Sequence, residues 1–225
     1  MASTTNASLA EQAATHLGRG PNALQGFRSD QTEIDRQSTR LIEWASKNEA
    51  VLDDSYTAGL QRQEGTTAEH EVFYRPTDNR AVKRTYAGTF GVTNAKKGEQ
   101  THATPMFYLR RLQLMNREFN SDLRLEGILF GTSLLIGASE LQPSMVISQP
   151  WHRPANPSDP HPSNEEIRQF MESLGFAEMK GSYFGWFKSA GKITVIDARS
   201  DNFIRTENGV IPVDLVISEE SESAT

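Results

Sequence analysis

Two β-forming runs near the carboxyl end of the chain constrain the fold more than any other feature. Residues 193–196 read Ile-Thr-Val-Ile, and residues 210–217 read Val-Ile-Pro-Val-Asp-Leu-Val-Ile. The second run follows Asn208-Gly209, a dipeptide typical of the tight turn of a β-hairpin. The pattern predicts two strands that flank a polar segment and form a hairpin.

Three polar side chains mark this stretch. Asp197 ends the first run, Asn202 lies five residues on, and Asp214 interrupts the second run. A carboxylate at a strand end is stable when it meets water or a cation, and costly when it is buried alone. We therefore expect the three side chains to converge at one end of the hairpin, where two carboxylates and an amide oxygen suit Mg²⁺. The alternative is that they only make the hydrogen bonds of a turn.

Composition narrows the function classes. The chain of 225 residues has no cysteine, which excludes disulfides, thiolate metal sites and a cysteine nucleophile within it. Its net charge is −6, and the only block of like charge is acidic, at residues 219–222. A dedicated nucleic-acid surface is therefore not expected.

The first part of the chain is poor in core-forming residues. Residues 1–29 are rich in Ala, Ser, Thr, Asn and Gly, which predicts a mobile leader with a weak helix at residues 9–17. We expect no secretory signal, because this leader lacks an apolar segment. The longest apolar stretch, residues 128–138, is too short to cross a bilayer. We expect a cytoplasmic protein without membrane partners.

The rest of the chain alternates between strand and helix patterns and predicts an α+β fold. We expect a helix over residues 30–47, a hairpin of strands 71–74 and 80–85 around a turn at 76–79, and a helix over 105–119. Two further strands are expected at 123–135 and 144–148. Ser163 and Glu166 have capping-box spacing at the start of a last helix, which Gly175 ends. Residues 179–188 are expected to form a strand or hairpin.

Two residues of the first hairpin have both a functional and an ordinary interpretation. Lys83 on the return strand is either a solvated strand residue or a clamp for phosphate. His70 is either a general base or, more commonly, a histidine held by a hydrogen bond. The residues alone leave both choices open.

The spacing Asp-x-x-x-x-Asn, a hairpin, then Asp resembles the catalytic loop and metal-binding strand of the protein-kinase-like superfamily. Arg80-Ala81-Val82-Lys83 resembles the strand whose lysine grips the phosphates. The chain departs from the pattern elsewhere. Val195-Ile196 replaces the usual His-Arg, Leu215-Val216 replaces Phe-Gly, and the loop ahead of the lysine strand has the single glycine Gly65 in place of three.

Five short phrases make the resemblance more specific. Together they are similar to the kinase-like domain of polyvalent proteins from bacteria, mobile elements and phages, over residues 30–217. The phrases are residues 41–45 (LIEWA), 69–72 (EHEV), 108–112 (YLRRL), 148–150 (SQP) and 211–214 (IPVD). The resemblance implies an α+β kinase-like fold with a small antiparallel-sheet N-lobe (about 65–148), a hinge (about 149–152), a reduced C-lobe (about 163–217) and an acidic tail (218–225).

The resemblance also implies roles for individual residues. Asp197 and Lys83 would be catalytic, and Asn202 and Asp214 would hold Mg²⁺. The ATP-binding residues would be Lys83, Gly65, Gln149, Trp151 and Glu118. Within that set Trp151 would stack on adenine at the hinge or lie in the core. Glu118 would pair with Lys83 or, more commonly, be solvated, with Glu126 as the alternative partner.

Three functions follow from this resemblance. The first is an ATP- and Mg²⁺-dependent phosphotransferase with an unassigned acceptor, which can be a protein. The second is a nucleotide-binding pseudokinase that works as an interaction module. Its support is the single glycine, the missing His-Arg and the eleven residues after Asp214, a length too short for an activation segment and substrate-binding helices. The third is a structural or phage-associated protein that keeps only the fold.

Overall fold

The computed structural model describes residues 8–19, 31–63, 69–94, 100–132, 141–182 and 184–219. Its helices are α1 (Leu9–Gly18), α2 (Gln31–Lys47), α3 (Pro105–Phe119) and α4 (Asn164–Ser173). Its strands are β1 (Gln61–Arg62), β2 (His70–Arg75), β3 (Arg80–Thr85), β4 (Val92–Asn94), β5 (Gln100–His102), β6 (Arg124–Thr132), β7 (Leu141–Pro150), β8 (Ala177–Glu178), β9 (Trp186–Lys188), β10 (Ile193–Ile196), β11 (Phe203–Thr206), β12 (Gly209–Pro212) and β13 (Val216–Glu219). The protein is therefore a mixed α+β structure with antiparallel sheets, as its sequence predicts. None of the helices in these ranges is long and apolar enough to cross a membrane.

The chain divides into two compact units. The first comprises residues 1–113 and 122–151, and the second comprises residues 114–121 and 152–225. The division after Trp151 falls within the segment 149–152 that the resemblance assigns to a hinge. Each unit has its own sheet.

A five-stranded antiparallel sheet with the order β1-β2-β3-β7-β6 organises the first unit. The predicted hairpin is present, because β2 and β3 pair from Arg75–Arg80 to His70–Thr85 around the turn at residues 76–79. The predicted strands at 123–135 and 144–148 are observed as β6 and β7. One sheet face buries Phe73, Val82, Leu129 and Val146, with Leu52, Tyr56 and Leu60 packed against them.

Helix α1 lies within the predicted leader. Its capping box pairs Ser8 with Glu11, and its residues Ala13 and Leu17 are buried, so this part of the leader is a packed helix. Arg40 of α2 donates hydrogen bonds to the carbonyls of His16 and Leu17 in the last turn of α1, and the His16 carbonyl also accepts the amide of Arg19. The predicted helix at 9–17 is confirmed. Residues 1–7, 20–30 and 220–225 lie outside the described ranges.

Helix α3 begins where its sequence predicts. The hydroxyl of Thr104 accepts a hydrogen bond from the amide of Phe107 at 3.2 Å, and Pro105 occupies the first helical position. Gln37 of α2 adds a second cap, because its side-chain oxygen accepts a bond from the amide of Met106 at 2.9 Å. Both capping groups satisfy amides that a helix leaves unpaired at its start.

The second unit contains a four-stranded antiparallel sheet with the order β13-β10-β9-β8 and a separate hairpin of β11 and β12. The prediction for residues 210–217 was wrong in one respect. That run is not one strand but belongs to two, β12 and β13, separated by residues 213–215. The Asn208-Gly209 turn joins β11 to β12, and β10 pairs instead with β13. The small hairpin is thus inserted between the two paired strands.

Helix α4 completes the second unit, and both predicted signals are confirmed. Ser163 and Glu166 form the capping box at its start. Gly175 follows its end at φ +82°, a conformation that glycine adopts without steric cost. Aromatic rings pack beside it, with Phe119 stacked on Phe176 at 5.7 Å between centroids and Phe170 edge-on to Phe203 at 6.2 Å.

Candidate functional site

Asp197 directly follows β10 and adopts a left-handed backbone conformation, with φ of +59°. This region is uncommon for residues other than glycine, although aspartate and asparagine enter it more readily. Asn202, at the end of the short 3₁₀ turn Ser200–Asn202, holds Asp197 in place. Its side-chain nitrogen donates to the backbone oxygen of Asp197 at 2.6 Å and to Oδ2 of its carboxylate at 2.9 Å.

The other carboxylate oxygen of Asp197 forms an ion pair with Arg199. Arg199 Nε lies 2.9 Å from Oδ1 of Asp197, and its Nη2 lies 3.1 Å from Oδ2 of Asp201. Burial raises the pKa of Asp197, and the negative charges of Asp201 and Asp214 act in the same direction. The hydrogen bond from Asn202 and the charge of Arg199 oppose that shift. The net result is a carboxyl group that holds its proton more tightly than an ordinary aspartate.

Asp214 lies in the segment between β12 and β13. The preceding residue ties this segment to the loop of Asp197, because the amide of Val213 donates to the carbonyl of Asn202 at 2.9 Å. The charge of Asp214 acts on the pKa of Asp197. The structure therefore brings Asp197, Asn202 and Asp214 together, as expected, at the break between β12 and β13. Two carboxylates and an amide oxygen are ligand types that fit Mg²⁺.

Lys83 lies in the first unit, at the middle of the five-stranded sheet. Its side chain is 7% exposed, and it pairs in register with Val72 on β2 and Ile147 on β7. A lysine at this depth retains its charge only in a polar environment. The structure thus excludes the interpretation of Lys83 as a solvated strand residue.

Gln149 shares a sheet face with Lys83. It pairs with Ala81, two residues from Lys83 on β3, and successive residues of a strand alternate between faces. Gln149 is a buried residue within β7, so the strand extends further than the predicted end at Ser148. Tyr74 pairs with Ala81 from the other side and therefore lies on the same face.

Trp151 follows β7 and packs beside this face. Its ring centroid is 5.0 Å from that of Tyr74, with the planes tilted by 54°. Asn79 fixes both residues, because its carbonyl accepts the amide of Trp151 at 2.9 Å and its side-chain oxygen accepts the Tyr74 hydroxyl at 3.1 Å. Tyr74 was not among the predicted site residues. Its signal in the sequence is an aromatic residue two positions after Val72, on the face of Lys83.

Glu118, the predicted partner of Lys83, is bonded to other cations in the second unit. Glu118 accepts a hydrogen bond from Lys188 Nζ at 2.9 Å and forms an ion pair with Arg117 at 2.7 Å, all within the second unit. The alternative, Glu126, accepts hydrogen bonds from Tyr56, Arg75 and Ser148. Gly65 lies outside the described residues.

Two pairs of buried polar residues in the first unit were missed by sequence reasoning. Glu69 is bonded to Arg111 of α3 at 2.8 Å, and His70 Nε2 lies 2.7 Å from the hydroxyl of Tyr108. His70 is 2% exposed, which favours the hydrogen-bonded interpretation over that of a general base. The sequence did mark these residues, because each pair joins one residue of the phrase 69–72 to one residue of the phrase 108–112.

Comparison with protein-family models, curated proteins and solved structures gave no match. The function therefore has to be inferred from the two groups of residues described above, Lys83 with its aromatic neighbours in the first unit and Asp197 with Asn202 and Asp214 in the second.

Proposed function

We propose that this chain is a kinase-like phosphotransferase that binds ATP with Mg²⁺. The observation that carries the proposal is the grouping of Asp197, Asn202 and Asp214 in the second unit. The amide nitrogen of Asn202 is bonded to Asp197, which leaves its oxygen as the atom able to reach a cation. Together with the carboxylate of Asp214, that oxygen suits the Mg²⁺ of a bound nucleotide.

Asp197 has a different role in the proposal. It orients the acceptor hydroxyl and takes its proton as the acceptor oxygen bonds to the γ-phosphorus and the bond to the ADP oxygen breaks. A carboxylate with a raised pKa is a stronger proton acceptor than an ordinary aspartate, and Asp197 is shifted in that direction. Its fixed backbone supports the same role, because phosphoryl transfer depends mainly on positioning.

The first unit supplies support of a second kind. The order of hairpin, lysine strand, helix α3 and strands β6 and β7 agrees with the small lobe that the kinase-like resemblance implies. Lys83 is assigned to the phosphates, and Gln149 and Trp151 to the base. The contact between Tyr74 and Trp151 adds an aromatic surface of the kind that stacks on nucleobases.

A nucleotide-binding pseudokinase is the second candidate, and one observation favours it. Both carboxylate oxygens of Asp197 are already bonded, Oδ2 to Asn202 and Oδ1 to Arg199. An aspartate occupied in this way can hold the loop without accepting a proton. The chain would then bind Mg²⁺ and ATP but transfer no phosphate.

Thermal unfolding with ATP and Mg²⁺ tests nucleotide binding, and a phosphate-transfer assay on the same samples tests catalysis. Ligand at about 100 times its dissociation constant should stabilise the wild type by about 2.7 kcal/mol. Asp214→Asn should lose this gain. Asp201→Asn is the matched control, because Asp201 lies in the same loop but is 58% exposed and pairs with Arg199.

The assay separates the two candidates. Transfer that Asp197→Asn abolishes, while ATP still stabilises this variant, supports the phosphotransferase. Stabilisation without transfer in the wild type supports the pseudokinase. An absence of stabilisation in the wild type refutes both.

A further inference from the structure

The single acidic residue of helix α3, Glu118, lies in the part of the helix that belongs to the second unit. There it is bonded to Lys188 and Arg117. In the kinase-like pattern a glutamate of this helix pairs with the strand lysine and thereby sets the position of the helix. In the first unit a different contact attaches α3 to the sheet.

The contact is an ion pair with the charges reversed. Arg111 of α3 donates from Nη1 to Oε2 of Glu69, immediately before β2, at 2.8 Å. The two side chains are only 6% and 12% exposed. A charge buried to this extent is costly without its partner, so each residue depends on the other.

The second oxygen of Glu69 is bonded as well. Its Oε1 accepts a hydrogen bond from the amide of Val92 at 3.1 Å. The backbone of Gly91 comes so close that an added Cβ would lie 2.8 Å from the Glu69 carboxylate. Glu69 therefore joins the start of β2, the start of β4 and the middle of α3.

A second hydrogen bond between α3 and β2 lies one helical turn earlier. Tyr108 is three residues before Arg111 and so lies on the same face of α3. Its hydroxyl is 2.7 Å from Nε2 of His70, the neighbour of Glu69. His70 lies two residues before Val72, which pairs in register with Lys83. The helix is thus attached to the strand that adjoins the lysine strand.

We propose that Glu69 and Arg111 are positioning residues that fix α3 to the sheet and hold the strand of Lys83 in its place. The role of Lys83 in binding phosphate rests on the proposed function. The attachment of the helix to the sheet does not, and it can be measured separately.

Amide hydrogen exchange measures the attachment in the full chain. In Glu69→Gln, exchange should accelerate by about tenfold or more both in residues 108–112 of α3 and in residues 82–84 of β3. Glu71→Gln is the matched control, since Glu71 lies two residues after Glu69, within β2, and pairs with Arg84 and Arg62. Unchanged exchange in α3, or equal acceleration in the control, would overturn the proposal.

A glycine pair provides a second test that leaves both charges in place. Gly91→Ala should displace the Glu69 carboxylate and loosen α3. Gly181→Ala has a similar backbone strain, with φ of +82° against +80° at Gly91, and no neighbour within 4 Å. Faster exchange in α3 only for Gly91→Ala supports the proposal, and equal effects contradict it.

Measuring ATP affinity beside hydrogen exchange distinguishes a failure of this proposal from a failure of the proposed function. We expect the dissociation constant for ATP with Mg²⁺ to rise about tenfold in Glu69→Gln and to stay at the wild-type value in Glu71→Gln. A wild type that binds no ATP refutes the proposed function, while exchange still decides whether the pair fixes the helix. Loosened α3 with unchanged ATP affinity would show a structural contact without a positioning role.

Discussion

Asn202 donates from its side-chain nitrogen to both the backbone carbonyl and the carboxylate of Asp197, at 2.6 and 2.9 Å. This double contact holds Asp197 at φ +59° and directs the amide oxygen of Asn202 away from it. One residue thus fixes the loop and leaves an amide oxygen that we propose as a ligand for a cation. The relationship underlies the role proposed for the second unit.

Asn202→Ala should reduce the free energy of unfolding by about 1–3 kcal/mol, because it removes both hydrogen bonds at a partly buried site. Urea unfolding at neutral pH measures the loss. Asn208→Ala is the control, since Asn208 is an exposed residue of the β11–β12 turn and should change stability by less than about 0.5 kcal/mol. Equal losses in the two variants would mean that the bonds to Asp197 contribute nothing specific.

Asp197 should give stability a dependence on pH with a defined sign. Burial raises its pKa above the ordinary value of 3.8. Its contribution to stability is therefore fully present below that value and is lost as pH rises through the folded-state pKa. Asp197→Asn cannot ionise, so it should gain stability relative to the wild type as pH rises above 3.8.

Glu166 provides a control of opposite sign for this titration. The backbone amide and hydroxyl of Ser163 lower its pKa. Its contribution is present above the ordinary value of 4.5 and is lost as pH falls. Glu166→Gln should therefore lose stability relative to the wild type with rising pH. Urea midpoints measured across the acid range that shift in the same direction for both variants would contradict the assignment.

Lys83 and Glu118 should behave independently. Lys83→Met should weaken ATP binding by about tenfold or more, because it removes the cation proposed to hold the phosphates. Glu118→Gln should leave ATP affinity unchanged but reduce stability by about 1 kcal/mol through its bond to Lys188. Isothermal titration and urea unfolding measure the two effects. A loss of ATP affinity in both variants would instead indicate that Glu118 acts on Lys83.

Trp151 should report nucleotide binding by fluorescence. Trp44 and Trp186 are 3% and 4% exposed, whereas Trp151 is half-buried beside Tyr74. ATP should quench the wild-type emission, and Trp151→Leu should lose both the quenching and about 1–3 kcal/mol of binding free energy from stacking. Trp44→Phe is the optical control and should retain the quenching. Quenching that persists in Trp151→Leu would place the base elsewhere.

Local patterns predicted much of the fold. The β2–β3 hairpin, the caps of α3 and α4 and the stop at Gly175 all follow from neighbouring residues along the chain, and each is present. The run 210–217 was misread because its apolar residues suit one long strand, and Asp214 gave the only sign of a break. The first part of the run pairs with β11 and the last part with β10, and the second pairing depends on contacts distant in sequence.

Sequence reasoning predicted part of the candidate site as well. Spacing was enough to group Asp197 with Asn202 and Asp214, because a short loop and hairpin bring them together. Spacing did not identify Lys188 as a partner of Glu118, since a helix offers several positions and the partner depends on packing. Arg111 lies seven residues earlier, roughly 10 Å along the helix axis, and takes the contact with the sheet. Its partner Glu69 is distant in the sequence, so no local rule identifies the pair.

Paramagnetic broadening by Mn²⁺, used in place of Mg²⁺ in the presence of ATP, tests the central claim most directly. If Asn202 and Asp214 hold the metal, low concentrations of Mn²⁺ should broaden the backbone amide resonances of Asp197, Asn202 and Asp214. Asp214→Asn should abolish this effect. The exposed acidic residues Asp159 and Glu165 report nonspecific binding of the ion. Broadening confined to those residues, or unchanged broadening in Asp214→Asn, would contradict a metal–nucleotide site at Asn202 and Asp214.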